Sequence, residues 1–119
     1  SSEYNLGKLL SIKIIEPKIK KYLAEKGFSF TDDISSADAM ISINAETREG
    51  SEMYGQFIAF VDATFSVINM NSGEEIYKNS LQNKKGIQLS FKKAGLKAYQ
   101  DVTIEISEKI IPEIIEAMK

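Results

Sequence analysis

The sequence predicts an α+β domain. It reads as a two-layer sandwich, an antiparallel sheet of three or more strands with two helices on one face, in the order α-β-β-β-α. Three observations predict this. Phe57, Ala59, Val61, Ala63, Phe65 and Val67 form an unbroken apolar row at period two, with Asp62, Thr64 and Ser66 between them, which is the pattern of a half-buried strand. Phe91, Ala94, Ala98, Val102, Ile106, Ile110, Ile114 and Met118 keep a spacing of three to four, which is the pattern of a helix with one apolar stripe. The two lengths also agree: a helix over 90–118 would be ~43 Å long and a strand over 57–68 ~41 Å, so one can lie along the other.

At the N-terminal end, Leu9, Ile12, Ile15, Ile19, Tyr22 and Leu23 are spaced for a helix. The pattern predicts one from about residue 8 or 11 to 26, stopped by Gly27. Pro17 would kink it or mark the first turn of a shorter helix. The alternation of Leu10, Ile12 and Ile14 supports the rival reading of a strand ahead of that shorter helix. Phe28-Ser29-Phe30 reads as a short extended piece, and Thr31-Asp32-Asp33 with Ser35-Ser36 as turn and cap chemistry. Ala39, Ile41, Ile43 and Ala45 alternate with Met40, Ser42, Asn44 and Glu46, giving the first strand. Residues 47–56 hold two glycines and several polar residues and read as a loop or hairpin connection with a mobile tip at Arg48–Glu52. Gly73 in Asn71-Ser72-Gly73 supplies the positive φ of a hairpin turn, after which Ile76, Tyr77 and Leu81 continue the sheet. Gln82–Gln88, polar with Gly86 at its middle, reads as a loop. Ser90 is placed to cap the last helix, which Pro112 is expected to bend, and Ile104, Ile111 and Ile115 are expected to touch the first helix.

The 119 residues suffice for one domain, 1–119, with a single core. The start Ser1-Ser2-Glu3 is no initiator sequence, so a longer chain is expected, with any targeting signal or lipid-anchoring Cys upstream. No apolar run approaches the ~20 residues that span a bilayer. The net charge of −2 gives no overall attraction to nucleic acid or anionic membrane. There is neither His nor Cys. That removes the usual neutral-pH base, the common zinc ligands and every Ser-His or Cys-His arrangement. Neither catalytic nor metal-ligating residues are expected, and no cofactor.

Two clusters are candidates for binding. Lys84, Lys85, Lys92, Lys93 and Lys97 surround the predicted start of the last helix. Cations oppose the dipole there, so with Gly86 and free backbone N–H groups they could hold an anion; otherwise they are a solvated face. Met40, Ile58, Phe60, Ile68 and Met70 fall on the predicted uncovered sheet face, more apolar residues than a solvated face normally carries. They predict a partner or dimer surface, unless loop 47–56 or the N-terminal segment covers them. Asp32, Asp33 and Asp38, and Glu46, Glu49 and Glu52, match no calcium-loop spacing and read as caps and solubilising charge. Tyr54, Tyr77 and Tyr99 read as half-buried core or interface residues.

The order of short motifs resembles that of small α/β domains of bacterial cell-envelope lipoproteins and assembly factors. A helix ends Leu23-Ala24-Glu25-Lys26-Gly27-Phe28, and Ser36-Ala37-Asp38-Ala39-Met40-Ile41-Ser42-Ile43 leads into a strand. An Asn-Ser-Gly-Glu turn spans Asn71 to Glu74, and Lys85-Gly86 precedes a helix with Ala94 and Ala98. The TolB N-terminal domain, CsgG-like domains and LpoB-type activators of peptidoglycan synthases are similar. The turn of those families, Asp-x-x-Thr-Gly, here carries Asn69 and Ser72. The resemblance implies a non-catalytic protein-binding or scaffold module, periplasmic or outer-membrane-associated, with a protein partner in the envelope, homo-oligomers allowed, and membrane attachment only through an upstream anchor. It carries over no site residues. A second reading comes from element order alone: helix, three strands and helix is also the order of the double-stranded-RNA-binding domain, whose last helix begins with phosphate-gripping lysines. The strands and last helix here are longer than in that domain, and the net charge is negative, so nucleic acid is not the favoured partner.

Overall fold

A computed structural model describes residues 2–119. The chain forms β1 (Ser2–Asn5), β2 (Lys8–Leu9), α1 (Ile15–Glu25), β3 (Ala39–Met53), β4 (Gln56–Asn69), β5 (Glu75–Gln88) and a C-terminal helix. That helix consists of α2 (Phe91–Glu105), a π-helical turn over Ile106–Ile110, and α3 (Ile111–Ala117). The class is α+β as expected, but the sheet is mixed and has five strands in the order β2-β1-β3-β4-β5. β1 lies parallel to β3, while every other pairing is antiparallel. The predicted element order is corrected at the N-terminus, where two short strands precede a helix that begins at Ile15 rather than near residue 8 or 11. Pro17 then falls in the helix's first turn, where its missing N–H costs nothing.

β3 and β4 form one long hairpin that sets the molecule's length, 52 × 24 × 24 Å. Of the two readings of residues 47–56, the hairpin holds: both strands run on to a two-residue turn at Tyr54-Gly55, with φ of 54° and 80°, the positive-φ pair of a type I′ hairpin. A bulge between Glu49 and Glu52 adjusts the register. Residues 82–88 are likewise strand and not loop. They form the end of β5, an edge strand that needs only one packed face, so its sequence stays polar.

The odd-numbered face of β4 is buried throughout from Ala59 to Val67, and Val61, Ala63, Phe65 and Val67 share one core with Ile43, Leu81, α1 and the C-terminal helix. α2 comes close to the sheet because small residues meet there. A Cβ on Gly86 would overlap the backbone of Ala94 and Ala98, and one on Gly95 would overlap the Asn5 side chain. Ser90 caps α2 through Lys93 N at 3.2 Å, as its position predicts. Of the three isoleucines expected to touch α1, Ile111 is buried and Ile115 half-buried in the core, whereas Ile104 points to solvent. It lies outside the region where α3 passes α1.

β1 is held by polar groups turned inward. Glu3, fully buried, accepts from the N–H groups of Ile14, Ile15 and Glu16 at 2.8, 2.8 and 3.0 Å. It therefore supplies from another strand the cap that Ile14, at the N-cap position, cannot. Asn5 accepts from Thr47 Oγ1 at 2.5 Å and donates to Lys92 O at 3.2 Å, and Thr47 Oγ1 in turn accepts from Leu6 N at 2.9 Å. Tyr99 Oη donates to Tyr4 O at 2.7 Å. Burial, reinforced by the nearby Glu3 carboxylate, pushes the Tyr99 phenol well above its ordinary pKa.

Candidate functional site

The five apolar residues predicted on the uncovered face fall into two groups. Met40 pairs with Ile68, and Met70, whose N–H donates to Asp38 O at 2.9 Å, adjoins them. Phe60 pairs with Arg48 and Lys85, and Ile58 with Ile87. Eight residues of extended strand, ~27 Å, separate Phe60 from Ile68. The rows between are polar, with Ser42 opposite Ser66 and Asn44 opposite Thr64, so the five do not form one patch.

Phe60 is also partly covered. The Arg48 guanidinium lies 5.2 Å from its ring centroid, and a Cβ on Gly50 would come within 2.7 Å of its ring. Arg48 is held in turn by Asp62 and by Asn83 Oδ1. Asn83, at φ 59°, occupies a bulge in β5, and its N–H donates to Asp62 at 2.8 Å. The sequence reading missed this cation-capped cluster because its members lie far apart in the chain.

Nor do the five lysines converge. Lys84 turns to the helix side and pairs with Glu105 at 3.1 Å, and Lys97 pairs with Asp101 at 3.1 Å. Lys85, the next residue along β5, points to the opposite face, beside Phe60. The Lys93 N–H is already taken by the Ser90 cap. Lys85, Lys92 and Lys93 are left exposed at the end of the molecule where the β3–β4 hairpin projects. Tyr54, expected to be half-buried, is 98% exposed at that tip, near Met53 and Leu89, also exposed.

The carboxylates serve local structure. Asp33 caps a 3₁₀ turn over Ile34–Ser36, and hydrogen bonds from Ser35 hold its carboxyl below the usual range. Glu52 accepts from Gly55 N at 3.0 Å. Glu113 accepts from Tyr77 Oη at 2.6 Å and Asn79 Nδ2 at 3.0 Å. Among the described residues no group of His, Cys, Asp or Glu is gathered to hold a metal ion.

One concavity was not legible in the sequence. It is a groove of about 810 Å³ at the end opposite the hairpin tip, within the size range of ligand-binding clefts. The segment joining α1 to β3 walls it. Phe30, Ile34 and Met40 give it exposed apolar surface, with Ile41, Met70 and Met118 also lining it. Glu16, Asp32 and Asp38 add negative charge, and Lys20, whose Nζ lies 5.9 Å from the Phe30 ring centroid, adds one cation. Thus Met40 and Met70 belong to a groove, while Ile58 and Phe60 belong to the region beside the hairpin tip. No protein-family model matches the chain, and no curated protein matches it.

Proposed function

We propose that this domain is a non-catalytic protein-binding module for assembly, and that the groove between the α1–β3 segment and the sheet is where it holds a protein segment. The observation that carries this reading is the exposure of Phe30, Ile34 and Met40 around one cleft, Ile34 being 66% exposed. Large apolar side chains grouped on a concave surface gain free energy when a partner removes them from water, about 25 cal/mol per Å². The buried polar residues support a structural use of the rest of the chain. Glu3, Asn5 and Thr47 are spent on fastening β1 to α1, α2 and β3, and Thr103 bonds back to Tyr99 O at 2.7 Å. The cell envelope as compartment, with a protein partner there, rests on the family resemblance given above.

A photo-crosslinking side chain placed at Ile34, and separately at Ile104 on the helix layer, tests this in the producing cell. Ile34 is expected to give a discrete adduct that Met40→Asp abolishes, and Ile104 none. Equal labelling from both positions, or none from Ile34, would overturn the reading. Retention on duplex RNA that weakens with salt and is lost on replacing Lys85, Lys92 and Lys93 would favour the nucleic-acid reading instead.

A further inference from the structure

The two ends of this elongated molecule differ in a complementary way. β4 runs from Gln56 at the hairpin tip to Asn69 beside the groove, so the two features lie at opposite ends of the 52 Å axis. At the tip end, residues 84–93 carry four lysines and no acid, with Lys84 paired to Glu105, and the hairpin itself adds Arg48, Glu49 and Glu52, so this end keeps an excess of positive charge. At the groove end, residues 27–38 and 69–76 together carry five carboxylates and no Lys or Arg, and α1 adds Glu16 and Lys20 to the groove wall, which leaves an excess of negative charge. The tip presents Met53 and Tyr54 with Leu89 near by, while the groove presents Phe30, Ile34 and Met40.

Tyr54 adds an independent argument. It holds φ 54° at a turn position that Asn or Gly fills with less strain. A bulky residue kept in a strained conformation and almost wholly exposed suggests a use outside the fold.

We propose that the hairpin tip of one copy docks in the groove of a second copy, head to tail. Met53 and Tyr54 enter between Phe30, Ile34 and Met40, while Lys85, Lys92 and Lys93 face the carboxylates of residues 27–38 and 69–76. The groove's 810 Å³ accommodates an aromatic and a thioether side chain with room for the turn. The two surfaces differ, so the contact is heterologous. Each added copy leaves a free tip and a free groove, and the product is a chain or ring rather than a closed pair. This inference rests on the groove being the binding site and names its occupant.

Sedimentation velocity of the full chain, from micromolar to about millimolar, suits the weak affinity of a small contact. The average mass is expected to rise with concentration. It should fall back in about 1 M NaCl, where the screening length is about 3 Å. Tyr54→Asn and Ile34→Asp should each be monomeric, with unchanged circular dichroism. Mixed together they should form a one-to-one dimer and nothing larger, since each keeps one competent end. A wild type that stays monomeric throughout, oligomers that survive both substitutions, or a mixture that fails to pair would each overturn the proposal. So would a monomeric wild type whose tip binds vesicles of anionic lipid. If the Ile34 crosslink to another protein persists when self-association is absent, the groove reading stands and only the occupant is wrong.

Discussion

Removing the Glu3 carboxylate should unfasten the start of α1. In Glu3→Ala three N–H groups lose their acceptor, those of Ile14, Ile15 and Glu16. Only the Ile15 bond is fully buried, the other two being part-buried. Leaving a buried donor unsatisfied costs about 1–3 kcal/mol. Taking the upper part of that range for Ile15 and about 1 kcal/mol for each of the others gives a loss of about 4 kcal/mol, a large share of the 5–15 kcal/mol typical of a domain. An unfolding entropy of about 2.1 cal/mol/K per residue converts this to a fall in Tm of about 16 °C. Glu3→Gln keeps the shape and one acceptor oxygen but loses the charge and turns an NH₂ towards a donor, so about 2 kcal/mol should go. Urea denaturation followed by far-UV circular dichroism measures both, and amide exchange at residues 14–16 locates the effect. A loss below about 1 kcal/mol in Glu3→Ala, or equal losses in the two variants, would refute the account of Glu3 as the cap.

Gly86→Ala should cost about 3 kcal/mol or more, the upper end of overpacking penalties, because the new Cβ would meet the backbone of Ala94 and Ala98 rather than a side chain that can turn away; an unchanged denaturation midpoint would show that α2 can lift freely. Tyr54→Asn should raise stability by about 0.5–1 kcal/mol by relieving the positive φ, measured by the same denaturation, so loss of self-association in that variant could not be ascribed to unfolding. The Glu113 carboxyl is held below its ordinary value of 4.5, chiefly by the Tyr77 hydroxyl. A lowered folded pKa gives stability that is present above pH 4.5 and lost as pH falls through the folded value. The Tm difference between wild type and Glu113→Gln should therefore close on acidification. Burial and Glu113 push the Tyr77 phenol from 10.0 up to about 12, so its contribution should persist to pH 10 and fade as pH rises towards 12, seen as late ionisation of one tyrosine lost in Tyr77→Phe.

The long elements were legible because their patterns are long. Eleven residues of alternation, Phe57 to Val67, marked β4, and twenty-eight residues of helical spacing, Phe91 to Met118, marked the C-terminal helix. What escaped was short or inverted. β1 points Glu3 and Asn5 inward, against the rule that apolar residues go inside, because their hydrogen bonds to other elements offset burial. α1 carries no local capping residue, so its start could not be read without knowing that Glu3 lies beside it. The end of β5 looked like a loop because an edge strand packed against a close helix uses Gly86 where a central strand would use a β-branched residue. The candidate surfaces were legible only as residue types. Met40 and Phe60 share a parity on the sheet, and nothing in that parity told that bonded arginine covers one while the other lines a cleft formed by a distant segment.

The π-helical turn ahead of Pro112 has a consequence for the stripe above the sheet. Ala94, Ala98, Val102, Ile106, Ile110 and Ile114 recur every four residues. In a regular helix four residues overshoot one revolution by ~40°, so five such steps would carry the row ~200° around the axis and turn Ile114 towards solvent. Yet Ile110 and Ile114 are both fully buried. A wider turn at Ile106–Ile110 winds the backbone more slowly and takes back part of that drift, while also easing the proline ring past the carbonyl four residues earlier. Deleting one residue within that turn would restore ordinary winding and rotate the isoleucines of the last segment out of register with the sheet beneath them.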